Sequence, residues 1–133
     1  MNKDFFLLLP DPKDSEDIKI SPEAVLIKLS QSINDRYHGR IIAIVTSSTK
    51  VIEDEREILS FTLYLQFTRH NDFTYALFVS ECIENSGTYP VMVQAHYGPP
   101  IDYGVINTEE EFEDTIERIL SETRTRNVIL SMY

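Results

Sequence analysis

The chain has 133 residues, of which 42% are hydrophobic, 26% charged and 11% aromatic, so it can bury a core as one domain over residues 1–133 and is not a disordered segment. A formal charge of −10 and a pI near 4.6 argue against direct nucleic-acid binding and against an anionic membrane surface, since Lys and Arg that neutralise phosphate are what those partners need. A basic protein is the electrostatic complement, and the excess sits mainly late in the chain: residues 1–57 hold eleven acids against eight bases, residues 58–133 eleven against four.

The N-terminal run Phe5–Leu9 follows an acid at Asp4, is short and lacks a small-residue cleavage site, so it reads as a short strand and not as a signal peptide. Polar, proline-interrupted sequence follows. In SPEAVLIKLSQSINDRY, Ser21 is placed to cap a helix, Pro22 suits its first position and Glu23 faces the positive dipole end. Val25, Leu29, Ile33 and Tyr37 make its apolar stripe, and Gly39 should end it.

Four stretches with a period of two come next: GRIIAIVTS, ILSFTLYLQFT, FTYALFVSECI and TYPVMVQAHY, which predict an antiparallel meander. Making the apolar faces coincide predicts three-residue turns at His70-Asn71-Asp72 and Asn85-Ser86-Gly87, with Asn, Asp and Gly supplying left-handed conformations. Glu81 breaks this pattern, because parity puts it on the core side between Val79 and Ile83; a bulge or a position beyond the covering helices would resolve the conflict. GPPIDYG reads as a rigid loop. Thr108 and Glu111 then form a capping box for a helix with Phe112, Ile116, Ile119 and Leu120 inward, and RTRNVILSMY continues it or forms a second helix, with Arg124 and Arg126 suiting a negative C-terminal end.

The predicted fold is thus α+β in two layers, a four-stranded antiparallel meander with one face covered by an N-terminal and a C-terminal helix. Its expected core is Val25, Leu29, Ile33, Ile41, Val45, Phe61, Leu63, Leu65, Phe67, Leu77, Val79, Val91, Val93, Phe112, Ile116 and Leu120.

Two surfaces stand out as candidates. On the uncovered sheet face, the predicted registers bring Ile44, Tyr64 and Phe78 side by side, with Ile42 and Met92 close by, too apolar for a face that meets only water. Either Phe5–Leu9 covers that patch, or a second copy or another protein does. The second surface is the helix NTEEEFEDTIERIL, with six carboxylates and one arginine in fourteen residues. Dipole complementation and solubility account for this run, and docking of a basic protein on Glu109, Glu110, Glu113 and Glu117 is the functional alternative.

Enzymatic machinery is not expected. The three histidines, His38, His70 and His96, fall at a helix end, a turn and a late strand, no Ser–His–Asp or Cys–His set is visible, and no phosphate-binding glycine loop or metal motif occurs. No cofactor is implied, and the single cysteine, Cys82, suits a reducing, cytoplasmic setting. The leading expectation is a non-catalytic acidic interaction protein, of inhibitor or immunity type, on a basic nucleic-acid-handling protein. The alternative is a small-molecule or peptide-binding module in which the sheet face and the 98–104 loop wall a pocket beside Tyr64, Phe78, His96 and Tyr103.

Overall fold

Local signals set the ends of the first helix. In the structure, a computed structural model that describes residues 21–51, 53, 56–83, 87–95 and 99–133, helix α1 spans Pro22–Tyr37. Ser21 Oγ accepts the Ala24 N–H at 3.2 Å, and the helix closes on His38 and Gly39, both with positive φ, where glycine carries no Cβ penalty. The expected strand at Phe5–Leu9 lies outside the described residues, and with it the question of whether that segment covers the sheet.

Five strands follow: β1 (Ile41–Val51), β2 (Glu57–Phe67), β3 (Phe73–Cys82), β4 (Val91–Ala95) and β5 (Ile101–Ile106). They form an antiparallel sheet in sequential order, one strand more than the meander expected from sequence. The extra strand, IDYGVI, begins within the GPPIDYG stretch whose prolines predict a rigid loop. Its alternation is hidden by Gly104 and by a register shift opposite Val93 and Gln94; Gly104 takes a φ of +84° there and donates its N–H to Asp102 Oδ1 at 2.8 Å.

The β2–β3 connection also departs from expectation. Phe67 pairs with Phe73, so the link comprises residues 68–72, with a 3₁₀ turn at Thr68–His70 and then Asn71 and Asp72 in the left-handed conformation foreseen for them. Further along, the register shifts between Leu63 and Tyr64: Tyr64 faces Ala76, whereas Leu63 faces Phe78. Leu77 is the extra residue of a bulge. From there to the end of β3 the faces exchange, so that Phe78, Ser80 and Cys82 point inward and Val79 and Glu81 outward.

The physical reason is the conflict the sequence displays at Glu81. Without the bulge a carboxylate would sit among Val79 and Ile83 beneath the helices, at a cost of several kcal/mol. With it, the inward polar group is only the Ser80 hydroxyl, which is fully buried and has no hydrogen-bond partner among the described residues.

After β5, Thr108 Oγ1 accepts the Glu111 N–H at 3.1 Å and starts helix α2, Glu109–Ser121. Glu111 reaches back to the Asn107 N–H at 2.9 Å, one residue earlier than the usual capping box. The chain breaks at Glu122, in extended conformation, and continues as α3, Thr123–Met132. Buried Thr125 holds the break by donating to the Ile119 carbonyl at 2.8 Å. Arg124 and Arg126 therefore lie in the first turn of α3 and do not serve the end of a continuous helix.

One hydrophobic cluster joins the three helices to one side of the sheet. Val25, Leu26, Phe112, Ile116 and Ile119 pack on the inward residues of all five strands, with Val128, Ile129 and Met132 of α3 at its margin. Of the expected core, Val79 is absent, turned out by the bulge; Phe78 takes its place, edge-on to Phe112 with ring centroids 6.4 Å apart. Leu29, Ile33, Val45 and Leu120 are only partly buried, whereas Leu26, which the four-residue stripe passed over, is fully buried.

Candidate functional site

The sheet face away from the helices follows from the registers. Ile44, Tyr64 and Ala76 form one row across β1, β2 and β3; Thr46, Thr62, Val79 and Gln94 form the next, and Ser60, Glu81, Met92 and Val105 a third. Ile42 stands opposite Gln66 on the far side of the first row. Ile42, Ile44, Tyr64, Val79 and Met92 are half-buried, and none belongs to the core cluster or its margin.

The apolar patch expected from sequence is thus present with one correction. Phe78 does not belong to it: it is 1% exposed and packed under α2. Val79 stands there instead, next to Ala76, so the patch is flatter and less aromatic than predicted. No sequence signal located the exchange except the misfit of Glu81, which the bulge brings out within 3.7 Å of Lys50 Nζ. That pair is mostly solvated on the lysine side and adds little stability.

The carboxylates of α2 occupy a different surface. Because Phe112, Ile116 and Ile119 face the sheet, Glu110, Glu113, Asp114 and Glu117 face solvent, with Glu109 half-buried beside them. Glu111 is taken by the cap; none of the others forms an ion pair among the described residues. Glu113 and Glu117 line a groove shared with Val25, Lys28 and Leu29 of α1, and Glu109, Glu110 and Glu113 line a depression beside Tyr89. Burial, and then the fields of Glu109 and Glu113, push the Tyr89 hydroxyl well above the usual tyrosine range. The acidic helix and the apolar sheet face lie on opposite sides of the molecule, so one flat partner surface cannot cover both.

The pocket foreseen beside Tyr64, Phe78, His96 and Tyr103 is not assembled by the residues described. Tyr64 is on the outer face, Phe78 in the core and Tyr103 on the helix side; His96 lies outside the described residues. Tyr103 ties β5 to the α2–α3 junction. Its hydroxyl sits 2.8 and 2.9 Å from the two carboxylate oxygens of Glu122, and the Arg118 guanidinium lies 5.7 Å from its ring. Burial, with the Glu122 hydrogen bond and charge behind it, pushes its pKa up to about 12.

A groove that sequence reading missed lies on the helix side, where α3 packs back beside the start of β3. Phe73, Tyr75, Pro99, Arg124, Val128 and Met132 enclose about 380 Å³. Arg124 donates to the Pro99 carbonyl at 2.9 Å through Nη1, while its buried Nη2 has no hydrogen-bond partner among the described residues. Only the break at Glu122 brings these residues together, and nothing in the spacing announces it.

His38 and His70 are exposed at a helix end and in the 3₁₀ turn, and Cys82 is fully buried, its thiol pushed up by desolvation. Among the described residues no three His, Cys, Asp or Glu side chains cluster to hold a metal ion, and no helix is long and apolar enough to cross a membrane. No protein-family model, curated protein or solved structure matches the chain.

Proposed function

We propose that the protein is a non-catalytic acidic binding partner, of inhibitor or immunity type, acting in the cytoplasm on a basic protein through the solvent side of α2. The observation that carries this reading is the row Glu110, Glu113, Asp114 and Glu117, exposed and without ion pairs among the described residues. The first-turn acids Glu109 and Glu110 are accounted for by the helix dipole, each contributing about 0.3–1 kcal/mol; Glu113, Asp114 and Glu117 lie beyond that turn and are not. Spaced carboxylates on a rigid helix resemble the charge of a phosphate backbone, which is how such a surface would occupy a nucleic-acid site on its partner. The apolar sheet face, on the other side, is a separate contact surface.

The test is capture by the immobilised full chain from extract of its native cell, at low salt and at about 1 M salt, where the screening length falls to roughly 3 Å. A basic protein retained by the wild type should be lost at high salt and lost from a Glu110→Gln/Glu113→Gln/Glu117→Gln variant. Equal recovery under all three conditions would refute electrostatic docking through α2.

The groove around Arg124 favours a second reading, a small-molecule or peptide-binding module on the helix side instead of the sheet face. An apolar cleft beside a guanidinium Nη2 with no hydrogen-bond partner among the described residues fits a carboxylate attached to an aromatic or aliphatic group. Amide shift changes confined to α3 and the start of β3 on titration with phenylpropionate would support it. Unchanged spectra at millimolar ligand would remove it.

A further inference from the structure

β1 is an edge strand, and two hydrogen bonds reveal which of its backbone groups point outward. The Ala43 N–H donates to Asn34 Oδ1 of α1 at 2.7 Å instead of to β2, whereas the Arg40 carbonyl accepts from Thr68 N–H on the β2 side. The β1–β2 register then runs unbroken from Ile41–Phe67 to Val51–Glu57, so the alternation persists along the strand. Odd-numbered residues turn their N–H and C=O away from the sheet. Asn34 occupies this edge at Ala43. Beyond it, no strand among those described pairs with the outward groups of Val45, Ser47, Thr49 and Val51.

Among the described residues this part of the edge is open and uniform. Residues Thr46 to Val51 of β1 are exposed, although Phe61 opposite Ser47 lies in the core, so another chain can approach this edge of β1. Natural edges are usually blunted by charges, proline or bulges. Ile41–Val51 holds one lysine, no acid, no proline and no bulge, in a chain that carries 22 acids.

We propose that the Val45–Val51 edge pairs with the same edge of a second copy, antiparallel about a two-fold axis at Ser48, joining two five-stranded sheets into one. The open span fixes the register, its outward residues Val45, Ser47, Thr49 and Val51 being centred on Ser48, and a second copy fits because the span meets itself there with no opposing charges. Val45 bonds the partner's Val51 and Ser47 bonds the partner's Thr49, and since each pair occurs twice about the axis, every outward group from Val45 to Val51 gains a partner. Thr46 then faces the partner's Lys50, and Ser48 faces its own copy, so no like charges oppose and hydroxyl pairs line the seam. Since the axis is perpendicular to the sheet, both outer faces end on the same side, with the Ile42–Ile44 patches of the two copies at opposite ends of the seam. The interface uses neither α2 nor the Arg124 groove, so its failure leaves the reading of the acidic helix untouched.

The experiment uses the full chain. Sedimentation should show a concentration-dependent dimer. Ser47→Pro removes an outward N–H without breaking the β1–β2 ladder, so the variant should keep its circular dichroism while the dimer's Kd rises by about 100-fold, from two lost bonds across the axis. Ser48→Cys should cross-link to itself on mild oxidation, because a facing non-hydrogen-bonded pair sits about 4.5 Å apart between Cα atoms, within disulfide range. Thr46→Cys should not, and buried Cys82 does not compete. A wild type monomeric at the highest soluble concentration overturns the proposal, as does a folded Ser47→Pro variant that dimerises normally. If Ser47→Pro does not fold, the two cysteine variants decide: cross-linking at Ser48 alone supports the seam, and its absence in a dimeric protein overturns it.

Discussion

Replacing Phe78 by alanine tests the bulge in β3, on which both the core and the outer face depend. Phe78 is 1% exposed and edge-on to Phe112, so its loss removes a large buried ring and leaves a cavity under α2, a change that costs about 3–5 kcal/mol. For a chain of this length that is a large part of the roughly 5–15 kcal/mol by which a domain is stable, and it corresponds to a fall in Tm of roughly 10–20 °C. Val79→Ala, by contrast, trims a half-buried side chain on the outer face and should cost below about 1 kcal/mol. Urea denaturation of both variants beside the wild type, with equal slopes, gives the two values directly. If the strand ran without the bulge, Val79 would be inside and Phe78 outside, and the order would invert. A Val79→Ala penalty equal to or above that of Phe78→Ala would refute the register and the description of both faces.

Thr108→Ala should destabilise by about 1 kcal/mol in the same assay, because it strips the acceptor from the Glu111 N–H at the start of α2. Tyr103 titrates at about 12 in the folded chain, above the ordinary value near 10, so the unfolded state releases its proton first as pH rises. Its contribution is complete below pH 10 and is lost as pH climbs to about 12. Tyr103→Phe should flatten the fall in stability across that window, measured by urea midpoints. Cys82, buried with its pKa raised, should react with an aromatic disulfide reagent only under denaturing conditions; rapid labelling of the native protein would contradict its place in the core.

Much of the frame is legible in short-range chemistry. Ser21 and Pro22 start α1, Thr108 and Glu111 start α2, and Asn71 and Asp72 take the left-handed turn positions, because each signal acts within a few residues and owes nothing to the rest of the fold. The alternation in β2 likewise puts Phe61, Leu63, Leu65 and Phe67 in the core. β5 escaped notice because a glycine and a register shift break its period over only six residues. The candidate surfaces fared unevenly. Glu109, Glu110, Glu113 and Glu117 needed only helical periodicity to be placed, whereas the sheet patch needed registers across three strands, and one inserted residue removed Phe78 from it.

The sequence by itself determined where α1 and α2 begin, which residues of β2 alternate, and that the acids of α2 face away from its apolar side, since these depend on neighbours a few positions off. Only the tertiary structure decided the bulge at Leu77, the return of α3 beside β3 and the open edge of β1. Each of those turns on a contact between separate elements: Phe78 against Phe112 of α2, Arg124 on the Pro99 carbonyl, Asn34 on the Ala43 N–H. A choice of that kind is a balance of desolvation and pairing energies between segments far apart in the chain, and no local pattern carries it.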